Sequence, residues 1–334
     1  LWAGLRAPIE HICMQGMVSR VSTWIRPLEE EGVETHPGPR FVSKNVDGLK
    51  SPGRFKNFLD HAVRAHEHDP VHAFFIQEHN LSPSDYAHCR SQAARRGMLW
   101  IASHKPARST QQRGTGTGIL IPIDMITLAP GETVTAATTR VTNTHARDRE
   151  GRLCSVRCTI RGVKLRLTCC YAPADSTKRQ AFFTKKLAPF VTRSTLLAID
   201  ANCVPDPSLD RHSNAATPAD DTGSDDLAAL VISKGLIDVA REQLGTERIY
   251  TAHHNTANGV TDSRIDQMYA PRIDALEWTH ELSHDFMPKV DGMLDHVALQ
   301  LHLRTPSHKK GQDVKYINER VFEDPETNGA VADI

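Results

Sequence analysis

No stretch of this chain approaches the roughly 20 consecutive apolar residues that a membrane-spanning helix needs, so no segment reads as a transmembrane span. The N-terminal stretch from Leu1 lacks the charged-then-apolar order of a secretory signal. It also lacks an initiating methionine, which reads as a fragment of a longer frame or a processed product. Excess charge is missing too: 40 Lys and Arg balance 40 Asp and Glu, for a formal net charge of zero at pH 7. Composition therefore makes no case for a polyanionic partner, and any surface for one must arise from local segregation of charge. No C-x-x-C pair occurs among the seven cysteines, Cys13, Cys89, Cys154, Cys158, Cys169, Cys170 and Cys203. Their odd number and scatter argue against a zinc framework and for a reducing compartment, with the thiols serving as small buried residues.

What is there suits one large folded domain: 334 residues, 39% hydrophobic and 24% charged. Residues 1 to 40 show little periodicity, end in His36-Pro37-Gly38-Pro39, and read as a poorly structured leader. From residue 41 to 305 strands and helices alternate. Phe41 to Ser43 and Val71 to Ile76 read as strands, and Ser51-Pro52 opens a helix carrying Phe55, Phe58, Leu59, Ala62 and Val63. A second helix runs from Ser82 to Gly97, followed by a strand at Met98 to Ala102. The middle is strand-rich, with candidates at Gly118 to Ile123, Thr133 to Val141, Arg152 to Ile160 and Lys164 to Tyr171. Asp175 caps a helix, Thr195 to Ile199 is a buried strand, Ser224-Asp225-Asp226 caps a helix to Gly235, and strands return near Ile249, Arg264 and Val297. Two mixed sheets packed face to face, each covered outside by helices, would bury all these apolar runs. Residues 306 to 334 form a polar tail expected to be disordered.

Four carboxylates stand where strands end or begin: Glu78, Asp200, Asp266 and Asp295. Any one of them is most simply a solvated strand end or the partner of a nearby Lys or Arg. As a set on one rim they ask for a cation, because a buried unpaired anion loses several kcal/mol of solvation. Hard oxygen ligands favour Mg²⁺, with Mn²⁺ as the substitute.

The order of the short motifs around these acids carries more weight than the acids themselves. Ser43-Lys44-Asn45-Val46-Asp47-Gly48-Leu49, Ile76-Gln77-Glu78, Tyr171-Ala172-Pro173, Leu197-Ala198-Ile199-Asp200-Ala201-Asn202, Ser263-Arg264-Ile265-Asp266 and Leu294-Asp295-His296 follow one another along the chain. In that order they resemble the successive motifs of the endonuclease/exonuclease/phosphatase family, whose usual forms are N-x-[ND]-G, Q-E, Y-x-P, G-D-[FY]-N, R-[IL]-D and S-D-H. Asn45-Val46-Asp47-Gly48-Leu49 is similar to the AP endonucleases, and the fuller layout with His36-Pro37-Gly38-Pro39 to the endonuclease segments of non-LTR retrotransposons. The departures are Lys44 for the usual Trp, Ala198 and Ala201 for the Gly and aromatic residue about Asp200, and Leu294 for Ser.

The resemblance implies a DNase I-like four-layer α/β sandwich and a Mg²⁺-dependent phosphodiesterase, a DNA-nicking endonuclease of a retrotransposon-like element. Glu78 with Asn45 and Asp47 would hold the metal. Asp200 would align and deprotonate the attacking water, with Asn202 beside it. His296, oriented and kept protonated by Asp266, would contact the phosphate; Tyr171 would donate a phenolic hydrogen bond, and Asp295 would assist metal or water. Arg264 is read as structural, in an internal ion pair. Lys105, Arg108 and Arg113 in one loop, Arg147, Arg149 and Arg152 in another, and Lys178 with Arg179 are candidates to track a DNA backbone. By the same resemblance, Val204 to Gly223 and His253 to Asp262 would reach over the groove. The protein would act as a monomer or as part of a larger polyprotein, in the nucleus and with no membrane partner. The competing readings are a family member acting on another phosphoester, and a nucleic-acid-binding remnant that no longer cuts.

Overall fold

A computed structural model describes residues 38–104, 115–213, 220–256, 259–273, 277–283 and 296–304. The expected leader, apart from residues 38–40, and the expected tail lie outside the described residues, as do Lys105, Arg108, Arg113 and Asp295.

Two six-stranded sheets form the framework. The first runs β14 (Glu277–Ser283), β15 (Ala298–Arg304), β1 (Arg40–Asn45), β2 (Ala73–Gln77), β4 (Thr117–Pro122) and β3 (Met98–Ser103). The second runs β10 (Leu236–Asp238), β13 (Asp266–Pro271), β8 (Thr195–Asp200), β7 (Val163–Tyr171), β6 (Leu153–Ile160) and β5 (Ala146–Arg147). Both are mixed, since β1 pairs β2 in parallel and β7 pairs β8 in parallel while their other ladders are antiparallel. A third, small sheet, β11 (Ala252–Thr256), β12 (Gly259–Ser263) and β9 (Arg211–Ser213), takes up part of the two segments expected over the groove.

Burial on both faces explains why these strands read as continuous apolar runs rather than alternating ones. Alternate residues still go to different layers, because successive side chains on a strand point to opposite faces. Phe41, Phe75, Ile101, Val156, Leu196 and Met268 meet between the sheets. Val42, Phe74, Ile76 and Trp100 face outward and pack under the helix Pro52–His68, which buries Phe55, Phe58, Leu59 and Ala62 at helical spacing. On the far side Leu197, Ile199 and Tyr269 pack under Phe182, Phe183, Leu187, Leu227 and Val231. The expected four layers, helix, sheet, sheet and helix, are thus what the chain builds. Gly118 is required for one contact, since a Cβ there would lie 2.3 Å from the Trp100 ring.

Two expectations need correcting. Thr133 to Val141 is not a strand but the N-cap and body of a helix, Val134–Asn143. Only Ala137 and Val141, one helical turn apart, are buried there, and the Thr133 side chain accepts from the Ala136 N–H, a local cap that outweighs the β-branched composition. The helix beginning at Ser224 has Gly223 as its N-cap, at φ 97°, because a side chain at that position would strike Arg179.

Arg264 has the structural role expected, with partners that spacing could not name. Its guanidinium is fully buried and binds Asp210 through Nε (2.7 Å) and Asp238 through Nη2 (2.9 Å). Arg241 adds a second cation to Asp210 at 2.7 Å, and the Arg264 N–H donates to the Asp210 carbonyl. Opposed charges, with each guanidinium bound to Asp210, tie the start of β13 to the third sheet. Removing one member strands the others, which costs about 3–5 kcal/mol. Asp210→Ala should therefore lower the unfolding free energy measured in urea by that order, and a value within about 1 kcal/mol of wild type would refute the network's role.

Candidate active site

The candidate residues gather on inner-face positions at one rim of the sandwich. β1, β2, β7 and β8 deliver their C-terminal ends to this rim, and β13 and β15, being antiparallel to their neighbours, deliver their N-terminal ends. Asn45 continues the inner-face series Phe41 and Ser43, Tyr171 continues Leu167 and Cys169, and Asp200 continues Leu196 and Ala198. Seven of the motif side chains, Asn45, Glu78, Tyr171, Asp200, Asn202, Asp266 and His296, are brought together there.

Asn45 joins the two sheets. Its Nδ2 donates to Glu78 Oε1 (3.0 Å) and to Asp200 Oδ2 (2.9 Å), while its Oδ1 accepts the Asp47 N–H at 3.0 Å. Asp47 itself is exposed, on the solvent side of the cluster. Asn202 holds the other side of Asp200, its N–H donating to Asp200 Oδ1 (3.0 Å) and its Nδ2 to the Ala172 carbonyl (3.0 Å). The Tyr171 hydroxyl is in the electrostatic range of Glu78, Asp200 and Asn202. Burial, reinforced by the carboxylates of Glu78 and Asp200, raises the pKa of this phenol, so it remains a donor.

Backbone strain concentrates here. Of the five non-glycine residues with positive φ among the described residues, four flank the site: Asp47 (42°), Glu78 (55°), Asn80 (55°) and Asn202 (51°). Each such residue costs about 1–3 kcal/mol. The strained turns are held by one another: Gly48 N–H donates to the Glu78 carbonyl at 2.7 Å and Leu49 N–H to that of His79 at 2.8 Å.

Asp200 and Asp266 stand directly opposite on the β8–β13 ladder. Both are buried, and His296 Nδ1 meets Asp266 Oδ2 at 2.7 Å. Burial first, then the charge of Asp266, pushes Asp200 up to about 7, with His296 and the Asn45 amide acting the other way. For His296 burial works against the cation, but the charge and hydrogen bond of Asp266 prevail and lift it to about 9.

The donor set suits a hard divalent cation. Glu78, Asp200 and Asp266 exceed the one imidazolium in charge, and the ligands on offer are carboxylate and amide oxygens. Asp266 Oδ1 is buried without a hydrogen-bond partner among the described residues, a further sign of unbalanced negative potential. One oxygen or nitrogen from each of Asp200, Asp266 and His296 falls within 4.8 Å of the others. An imidazolium hydrogen-bonded to a carboxylate is a poor metal ligand, however, so the geometry favours the Glu78 and Asn45 oxygens as the cation's seat. The described cysteines are all free and buried, and burial pushes Cys158 and Cys169 up to about 12, so they compete neither as ligands nor as nucleophiles.

Arg179 corrects the expectation of a backbone-tracking residue. It is buried, and its guanidinium donates to the carbonyls of Pro173, Ala174, Asp220 and Thr222, bracing the turn after Tyr171. Lys178 is exposed and pairs with Asp175 at 2.7 Å. Sequence reading missed Lys185 and Lys186, which with Arg149, Arg152 and Lys178 line a cavity of about 580 Å³. They are adjacent residues of the short helical element Phe182–Leu187, whose buried Phe182, Phe183 and Leu187 mark it first as core. Arg152 links this cavity to the site, lying 5.2 Å from the Tyr171 ring centroid and donating to the Tyr171 and Ala172 carbonyls.

No protein-family model and no curated protein matches the chain. Solved structures do. The AP endonuclease LMAP from Leishmania major is 14% identical, with a TM-score of 0.57 over 81% of this chain and 89% of that one. A 3'-5' exonuclease (NExo) from Neisseria meningitidis is 15% identical, with a TM-score of 0.53 over 78% and 98%. The endonuclease domain of TRAS1, a telomere-specific non-LTR retrotransposon, is 14% identical, with a TM-score of 0.50 over 80% and 100%. At these identities the likeness establishes the shared fold.

The Asp266–His296 pair makes a signed prediction. Because the folded pKa of His296 lies above its unfolded value of 6.5, the stabilisation it lends is complete below pH 6.5 and is lost as pH rises through about 9. In Asp266→Asn the largest raising charge and its hydrogen bond are gone while burial and the weaker pull of Asp200 and Glu78 remain, so the His296 midpoint should fall and the pH-dependent loss should shift to lower pH. An NMR titration of the imidazole decides it, and an unmoved midpoint would disprove the pairing.

Proposed function

We propose that this chain is a divalent-metal-dependent phosphodiesterase that nicks DNA, with Mg²⁺ as the working ion and Mn²⁺ as a substitute. The observation that carries the reading is the convergence of seven ordered-motif side chains from both sheets on one rim. The fold shared with an AP endonuclease and a retrotransposon endonuclease domain supports it. We further read residues 41 to 305 as the functional unit, and the motif order as that of a retrotransposon-like element whose nuclease works in the nucleus.

Phosphodiester hydrolysis is mainly a problem of positioning a water in line and stabilising charge on the phosphoryl oxygens. Asp200, held on both oxygens by Asn45 and Asn202, has one orientation open to it. Its raised pKa of about 7 suits a group that accepts the proton of the attacking water near neutral pH. His296, cationic through Asp266, presents positive charge to a phosphoryl oxygen, and the neutral Tyr171 adds a hydrogen-bond donor from the opposite sheet. A divalent cation on Glu78 and Asn45 would supply the remaining positive charge for the phosphoryl and departing oxygens.

Beside Tyr171 the cavity lined by Arg149, Arg152, Lys178, Lys185 and Lys186 gives a path for a polyanion leaving the site, with Glu150 as its acidic member. Glu150 pairs with Lys186, which leaves the wall net positive. That local segregation is what the neutral overall composition required of a nucleic-acid-binding surface.

Two measurements test the reading. Purified protein should nick supercoiled plasmid with Mg²⁺ and stop with EDTA, and Asp200→Asn should lose about 10²–10⁴ in turnover while remaining folded. A parallel abasic oligonucleotide chooses between damaged and plain DNA. Cleavage of neither, with binding intact, would leave a non-cutting remnant. Separately, Arg149→Ala with Lys185→Ala should make binding less salt-dependent, lowering the slope of log K against log salt by about 1 for each contact removed. An unaltered slope would take this wall out of the interface.

A further inference from the structure

Lys44 occupies a position where the alternation of β1 calls for an apolar side chain. Val42 and Val46 on either side of it face the layer beneath the helix Pro52–His68 and are fully buried. Lys44 is only 4% exposed. Burying an ammonium costs several kcal/mol unless strong hydrogen bonds compensate, and Lys44 Nζ donates to the main-chain carbonyl of His296 at 2.6 Å. The dipeptide Lys44-Asn45 thus reaches both halves of the site: Asn45 turns inward to Glu78 and Asp200, and Lys44 turns outward to the backbone of His296.

The His296 backbone needs such a hold because it enters β15 before the regular ladder begins. On one side the third sheet secures it, through the Ala252–His296 bridge and the Val297 N–H donating to the Thr251 carbonyl at 2.7 Å. Lys44 secures it from β1. With the main chain clamped from both flanks, the ring stands where its Nδ1 meets Asp266 Oδ2 at 2.7 Å. A ligand-contacting group must be held within about 0.5 Å to be effective, and that precision comes from the residues behind it.

We propose that Lys44 is a positioning residue for His296: its ammonium fixes the His296 carbonyl and thereby sets where the imidazole stands. The consequence for turnover rests on the phosphodiesterase reading above, whereas the consequence for the ring itself does not.

Lys44→Met keeps the length and apolar stem, removes a buried charge and lacks the donor; Lys44→Arg keeps a donor. In the free protein, the Nδ1–H signal of His296 should broaden or shift in Lys44→Met and be restored towards wild type in Lys44→Arg, with the buried His79 ring as an internal control. In the nicking assay Lys44→Met should lose roughly tenfold in kcat with KM unchanged, and should add nothing to His296→Ala, since two residues acting through one group are not additive. An unmoved His296 signal in folded Lys44→Met overturns the proposal whether or not the protein cuts DNA, and so does an undiminished loss in the His296→Ala background. Should Lys44→Met fail to fold, Lys44→Leu, which also lacks a donor, carries the same comparison. Absence of nicking by the wild-type protein, with the His296 signal displaced in the variant, would count against the proposed function and for the clamp.

Discussion

Asp200 and Asp266 face each other across one ladder, both buried, and the arrangement of the rim follows from keeping them there. Two like charges directly opposite on a sheet repel, and burial removes the water that would screen them. His296 answers Asp266 with an imidazolium, and the amide of Asn45 and the backbone N–H of Asn202 answer Asp200. Burial first and the charge of Asp266 second still raise the pKa of Asp200, and Asp266 Oδ1 has no hydrogen-bond partner among the described residues, so negative potential is left over. A site tuned to attract a divalent cation has this imbalance before any ligand arrives.

Holding that imbalance takes a framework stiffer than loops. Asn45 and Asp200 come from different sheets, so their hydrogen bond fixes the spacing between the sheets at the rim. The packed layer below, from Cys169 and Ala198 down to Ile160 and Leu301, prevents that spacing from relaxing. The strained turns at Asp47, Glu78, Asn80 and Asn202 persist because backbone bonds between neighbouring loops over-determine them. The Arg264 network does the same for β13, anchoring the strand that carries Asp266 two residues further on.

Much of this was legible in sequence because period and order are local properties. Continuous apolar runs marked strands buried on both faces, and carboxylates at their ends marked a rim. Partners distant in the chain were not legible: nothing in the spacing of Arg264 names Asp210 or Asp238, and nothing in Lys178-Arg179 tells the exposed cation from the buried brace. Thr133 to Val141 misled because β-branched residues favour strands only where two faces are packed, and here one helical stripe is buried. Lys185 and Lys186 were hidden by the apolar residues between which they project.

Among the described residues, which do not include Leu294, the departures from the motifs that the sequence resembles separate into two kinds. Ala198 points between the sheets, paired with Met268 and Cys169 on the flanking strands, and is wholly buried. Ala201 packs on the opposite face, among Phe183, Leu187 and Val231. Both are small residues in filled space, so their identity is a matter of core packing, and the carboxylate between them keeps its hydrogen bonds. Lys44 differs because a buried ammonium cannot be a packing accident of the same order: its desolvation is met by a short bond to the main chain of a motif residue. Loss of function that leaves a fold intact would be expected to erode the charged and strained positions first, since they oppose stability. Here Glu78, Asp200, Asn202, Asp266 and His296 stand together, and Lys44, Ala198 and Ala201 either fill the core or add a bond to it. Under the proposed function, that is the pattern a site maintained for use would show.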